Sequence, residues 1–180
     1  MSELEALLEA YGVHAKVRWP TNVAAEERVW FIVYSPQQER RIRRKFDEFA
    51  LVTTEKADRR WRQVDVTSYF ADWMATHEYR DAYFQRPEAM ALALDDFADD
   101  VVDRVREELN KAGPDDVVAL TGLGSLFGLT RVSRVITDSM GSLRGWLLVF
   151  FPGTYDEPSY RLLDSREAWN NYLGVPITAR

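Results

Sequence analysis

Hydrophobic residues in this chain fall into two patterns, short unbroken runs and residues spaced by three or four. The runs Val29-Trp30-Phe31-Ile32-Val33-Tyr34, Val117-Val118-Ala119-Leu120 and Trp146-Leu147-Leu148-Val149-Phe150-Phe151 are β-branched and aromatic, as in strands buried on both faces. Trp61-Arg62-Gln63-Val64-Asp65-Val66 is a more polar run and reads as a strand nearer a sheet edge. Helical spacing marks Leu4, Leu7, Leu8 and Tyr11, with Gly12 placed to stop that helix. It marks Ile42, Phe46 and Phe49 within a helix over 37–49, and Tyr69, Phe70, Trp73 and Met74 behind a cap at Thr67 or Ser68. The clearest amphipathic stripe is Met90, Leu94, Phe97, Val101, Val105 and Leu109, which starts near Pro87 and is ended by Gly113-Pro114. Pro20 to Glu27 reads as a loop, Leu126 to Met140 as a helix, and Arg166 to Tyr172 as a short helix.

The order α-β-α-β-α-α-β-α-β-α alternates strands with helices. It predicts a single three-layer α/β domain over 1–180, with a small, mostly parallel sheet of about four or five strands flanked by helices. Neither a repeat nor a linker-like tract suggests a domain boundary. Val117 to Asp156 forms a strand-loop-helix-strand unit, a βαβ motif. Its two glycine-marked loops, Thr121-Gly122-Leu123-Gly124-Ser125 and Pro152-Gly153-Thr154-Tyr155-Asp156, are expected at one edge of the sheet, where α/β proteins bind ligands or partners.

Composition narrows the classes. A chain of 180 residues, 46% hydrophobic and with six Trp, eight Tyr and nine Phe, has ample material for one core. The net charge of −6 disfavours attraction of the whole surface to nucleic acid or acidic membranes. With no cysteine there are no disulfides, thiolate metal sites or cysteine nucleophiles, which fits a reducing compartment. The first residues lack the basic and apolar regions of a signal peptide, and the longest apolar run is far too short to span a bilayer. A cytoplasmic protein without membrane association is expected.

Candidate chemistry is sparse. Thr121, Gly122, Gly124 and Ser125 resemble part of a phosphate-binding loop, in which small residues let backbone N–H groups approach an anion at a helix N-terminus. The third glycine of G-x-G-x-x-G is replaced by Phe127, and no lysine follows to complete a Walker pattern. The competing reading is a tight turn, with Ser125 capping the next helix. Asp65 and Asp156 could meet on the loop edge and hold Mg²⁺, but spacing supplies no third ligand, and either Asp also suits a turn. His14 and His77 lie in different segments and lack an E-x-x-H neighbour, and no G-x-S-x-G elbow is present. Arg40, Arg41, Arg43, Arg44 and Lys45, with Arg59, Arg60 and Arg62, form the strongest basic cluster. Trp61 among them offers a stacking surface, so Arg40, Arg41, Arg44 and Trp61 make a candidate interface for nucleic acid or an acidic partner. Asp95, Asp96, Asp99 and Asp100 read as a solvated helix face able to dock a basic partner.

The segments Leu120 to Phe127 with Arg131, and Val149 to Asp156 with Arg161-Leu162, resemble the BrxB family of BREX bacteriophage-exclusion systems. The shared pattern is T-G-[hydrophobic]-G-x-[hydrophobic]-F followed by F-[FY]-P-G-x-Y, so Phe127, Arg131, Pro152, Gly153, Tyr155, Asp156 and Arg161 are the motif residues here. The N-terminal half, with Phe31 to Tyr34, Pro36 and a charged helix, is similar too, and the resemblance spans most of the chain. After Asp156 the chain departs from the pattern, with Glu157-Pro158 in place of a D-G turn, Leu163 closing the R-L-F stretch, and Tyr172-Leu173 at the later aromatic pair. The resemblance implies a small, non-catalytic defence component without a cofactor. It would act by binding other BREX proteins, notably a PglZ-type protein with an alkaline-phosphatase-like domain. It also implies that Arg131 and Arg161 tie loop carbonyls or a nearby carboxylate together. Two rival readings follow from the residues alone. One is a nucleotide- or phosphate-binding protein, a sensor or phosphoesterase-like enzyme using Thr121 to Ser125; the other is a DNA-binding module using Arg40 to Arg62.

Overall fold

The computed structural model describes residues 1–17, 19–20, 22–171 and 174–179. The main sheet is built from β1 (Val29–Tyr34), β2 (Arg60–Asp65), β3 (Asp116–Thr121), β4 (Trp146–Asp156) and β7 (Val175–Ile177). These lie in the order β2-β3-β4-β1-β7, and all four pairings along that path are parallel. Two further strands, β5 (Ser159–Leu162) and β6 (Trp169–Asn170), extend β4 antiparallel. The described residues therefore form a mixed seven-stranded sheet, larger than the four or five strands the apolar runs predict.

Strand alternation divides the core into two layers. Trp30, Ile32 and Tyr34 of β1 and Trp146, Leu148 and Phe150 of β4 pack with α1 (Glu3–Lys16) and α3 (Phe46–Ala57). Phe31 and Val33, with Leu147, Val149 and Phe151, face α4 (Tyr69–Thr76), α6 (Leu94–Asn110) and α7 (Val132–Ser139). The remaining helices are α2 (Glu39–Arg43) and α5 (Arg80–Gln85). Every residue of β1 and β3 is buried, which is why those strands read as unbroken apolar runs. At the edge, β2 exposes most of its residues, as its polar sequence predicts. From β1 the chain crosses to the far edge by α2 and α3, then returns through β3 to β4 by helices on the other face. A reversal of direction with a change of face keeps parallel crossovers right-handed. The carboxyl ends of β1 to β4 consequently converge.

Several boundaries differ from the sequence reading. Gly12 does not stop α1, which runs on to Lys16, and a Cβ at Gly12 would lie 2.7 Å from the Lys56 ammonium. The helix expected over 37–49 is a 3₁₀ turn at Pro36–Gln38, then α2, then α3. Between β3 and β4 the expected helix begins only at Val132, after Gly128 at φ 76° and a 3₁₀ turn at Leu123–Leu126. Pro152 to Asp156 continue β4 rather than forming a loop, because the strand exchanges its β1 partner for β5. Residues 166–170 are not helical; Trp169 and Asn170 form β6, while Tyr172 and Leu173 lie outside the described residues. No helix of the described residues is long and apolar enough to cross a membrane.

Candidate functional site

The carboxyl edge of the sheet is held by a hydrogen-bonded chain that starts at Arg43. Its Nε donates to Glu39 one helical turn back (2.8 Å), Nη1 to Asp65 at the end of β2 (3.1 Å) and Nη2 to the Thr67 hydroxyl (2.8 Å). The Tyr34 hydroxyl, at the end of β1, donates to the other Glu39 oxygen. Asp65 also accepts the Thr67 amide (3.0 Å) and hydroxyl, an Asx-type turn. The guanidinium is thereby used on all three nitrogens and links the ends of two strands. Burial and the Glu39 acceptor push the Tyr34 phenol well above its ordinary range, so it stays a neutral donor. Burial raises the Asp65 carboxyl, but the Thr67 and Arg43 donors outweigh it and the net shift is downward.

The glycine-marked loop fits against this turn. Gly122 sits at φ 82°, and a Cβ there would collide with the Asp65 carboxylate, the Thr67 hydroxyl and, at 2.9 Å, the Thr67 amide. The Ser125 hydroxyl donates to the carbonyls of Gly122 (2.6 Å) and Val66 (3.4 Å), so it does not cap a helix. Thr121 is buried and donates to the Val64 carbonyl at 3.4 Å. The cleft above, about 360 Å³, is bordered by Glu39, Arg43, Thr67, Gly122, Gly124, Ser125 and Pro152. Its glycine is required by the Asp65–Thr67 turn, and the Glu39 carboxylate on its rim has the wrong sign for a phosphate.

Asp156 does not join Asp65. It lies exposed at the end of β4, opposite Ser159 in the β4–β5 hairpin. Among the described residues, no group of three or more His, Asp or Glu side chains is placed to hold a metal ion. His14 bonds the Ala10 carbonyl and sits 5.8 Å from the Trp30 ring, and His77 packs 4.5 Å from Trp73.

The basic cluster is divided rather than pooled. Arg60 and Arg62 converge on Asp116, whose fully buried carboxylate takes their Nε atoms at 2.6 and 2.7 Å and the Gly113 amide at 2.9 Å. Burial raises that carboxyl too, but the three donors outweigh it and hold it below its ordinary value. Arg59 lies 4.7 Å over the Trp19 ring, and Trp61 packs edge-on against Phe150. Arg40, Arg41 and Arg44 are left exposed on α2 and its end. The acidic face of α6 meets the chain's own arginines: Arg134 of α7 reaches Asp95 (3.0 Å) and Asp99 (2.6 Å), and Arg104, one turn on in α6, lies 3.7 Å from Asp100 while also reaching Asp72 of α4 (3.1 Å). That face is thus an intramolecular clamp more than a free docking stripe.

The motif residues frame a second hollow. Phe127 is 44% exposed on the β3–α7 connection, beside a cavity of about 700 Å³ lined by Leu129, Arg131, Phe151, Tyr160, Leu162 and Trp169 among others. Gly153 lets the hairpin close, since a Cβ there would overlap the Arg161 carbonyl. Pro152 ends the parallel pairing with β1, opposite Tyr34, and its carbonyl accepts the Leu163 amide. Tyr155 packs at a tilt against Tyr160, their ring centroids 4.6 Å apart. Arg161 ties the Arg166 carbonyl at 2.9 Å, the kind of role expected for it. Arg131 takes the carboxylate form of that role, forking onto Glu167 at 3.1 and 3.2 Å, with both side chains largely exposed at 73% and 69%. An ion pair so open to water contributes about 0–1 kcal/mol. Arg131→Ala should therefore shift the melting temperature by less than about 3 °C in calorimetry.

Sequence reasoning had little hold on Tyr34, Glu39 and Tyr160. The i,i+4 spacing of Glu39 and Arg43 was the available signal for the first network. No periodicity marked Tyr160, which lies in a four-residue strand.

Asp65 and Asp116 make acid stability predictable. Both carboxyls sit below their unfolded values, so their contribution is complete above about pH 4, the unfolded carboxylate range. It is lost as pH falls through the lowered folded values. Urea midpoints measured from pH 7 to pH 2.5 should drop steeply below about pH 4, and Asp116→Asn should flatten that limb.

The fold and its edge define an α/β protein whose carboxyl-edge polar groups are engaged with one another, beside an aromatic hollow framed by the motif loops. The family model described as "BREX protein BrxB" matches residues 67–177, more than half of the chain, and the chain belongs to that family. It is accordingly a BREX phage-defence component. No curated protein and no solved structure matches it.

Proposed function

We propose that this chain is a non-catalytic accessory component of its BREX system, acting by association with other BREX proteins, chiefly a PglZ-type protein. The observation that carries this reading is the state of the carboxyl edge. That edge is where α/β proteins bind their ligands. Here Tyr34, Glu39, Arg43, Asp65 and Thr67 satisfy one another, and Gly122 accommodates their turn. Around the corner, Phe127 and the motif hairpin present aromatic surface, the residue type enriched at protein interfaces. The same geometry weakens the rivals: the glycine loop offers no free cradle, and Trp61 is committed to Phe150 rather than to a stacked base.

Copurification tests the proposal. Tagged chain, expressed with the genes that neighbour it, should recover the PglZ-type protein in stoichiometric amount. Recovery of the chain alone would contradict it, as would heat evolved on titration with ATP, GTP and Mg²⁺.

A further inference from the structure

The cavity beside Phe127 has chemistry that neither the fold nor the family reading uses. Its volume, about 700 Å³, lies in the range of ligand pockets, and Leu129, Phe151, Leu162 and Trp169 give it apolar walls. Among its polar groups are donors. Tyr160 lines it with only 1% of its surface exposed, and among the described residues the Tyr160 hydroxyl has no hydrogen-bond partner. A buried hydroxyl left unpaired is costly, so it points to an acceptor that arrives with a ligand. Val132 and Ser133, which open α7, line the same cavity, and no side chain caps that helix. The first amide bonded back to the segment before α7 is that of Val135, to Arg131. The preceding amides therefore remain available to an anion at a helix N-terminus. Arg131 adds a cation on the rim.

We propose that this cavity binds the C-terminal residue of a polypeptide partner, its apolar side chain against the aromatic walls and its carboxylate on Tyr160 and the α7 amides. This rests on the partner-binding reading above and names the place where a partner would dock. A chain terminus supplies an apolar side chain and a two-oxygen acceptor on the same residue, matching donors and walls that lie side by side; backbone donors are the usual means of capturing such a carboxylate. Glu167, on the same rim, already holds Arg131 and opposes an incoming carboxylate. That gives the proposal a sign test, because Glu167→Gln should strengthen binding.

The probe is an acetylated tetrapeptide ending in phenylalanine, with a free carboxylate or as its C-terminal amide, titrated into the ¹⁵N-labelled full chain. The free acid should move the amide signals of Val132, Ser133 and Arg134. The amide should bind about tenfold more weakly, the Tyr160→Phe variant several-fold more weakly and the Glu167→Gln variant more tightly. Equal affinity for acid and amide, or no shift at millimolar peptide, would overturn the proposal. Ala168→Trp, which fills the cavity from its exposed rim, separates this inference from the function it rests on. With its melting temperature unchanged, the variant should lose the PglZ-type partner. If it retains the partner as well as the parent chain does, the cavity is not the docking point and the inference fails alone. If the parent chain itself recovers no partner, the partner reading fails.

Discussion

Phe150→Ala is expected to destabilise the protein by about 3–5 kcal/mol, the largest loss for any single change considered. Phe150 is fully buried in β4, the strand at the centre of the order β2-β3-β4-β1-β7. Its ring meets Phe46 at 4.8 Å and Phe49 at 5.1 Å, so it joins the sheet to α3, and Trp61 abuts it from β2 at 6.3 Å. Truncation removes the transfer energy of a benzyl group and leaves a void that rigid strand neighbours cannot close. For a chain of this length the melting temperature should fall by about 10 °C or more. A fall of less than 3 °C in calorimetry would show that the layer repacks.

Gly122→Val is the second large effect, at about 3 kcal/mol. Two costs combine. A β-branched residue at φ 82° is strained, and its Cβ would run into the Asp65 carboxylate and Thr67. Relief requires the Asp65–Thr67 turn to move, which also loosens Arg43. The urea midpoint should drop with an unchanged slope, as for a locally strained but still compact fold. Wild-type stability would show that the turn does not need glycine, and would reopen the reading of this loop as a ligand cradle.

How far the sequence could be read depended on whether the relevant force was local. β1, β3 and β4 were legible because strands buried on both faces must be apolar throughout, and Val29–Tyr34 is matched to the residue. The edge position of β2 was legible from its polar residues. The short strands were not. β5, β6 and β7 have four, two and three residues, too few to show a period, and they exist because neighbours offer them unpaired edges. Gly12 misled because its role is long-range: it admits the Lys56 chain from α3 instead of ending α1. Pro152-Gly153 misled for a related reason. Residues that usually break a strand here mark the point where β4 changes partners.

The candidate site divides along the same line. Gly122 as a turn glycine could be argued from its neighbours, while its true contact, the Asp65–Thr67 turn after another strand, could not. Arg40 to Arg62 read as one basic patch because sequence sums charge. Space separates it: Asp116 takes two of its arginines, Trp19 faces a third, and Asp65 and Glu39 hold a fourth. The unpartnered hydroxyl of Tyr160 left no trace in the sequence, since an absent hydrogen bond is a property of the packed fold alone.

The central claim is that this BrxB-family chain works by holding a partner. Its most direct test is to mix the purified chain with a purified PglZ-type protein at micromolar concentration and measure mass by light scattering during size exclusion. A single complex with the summed mass, formed without nucleotide or metal, is the predicted result. Two separate peaks at their individual masses would contradict it.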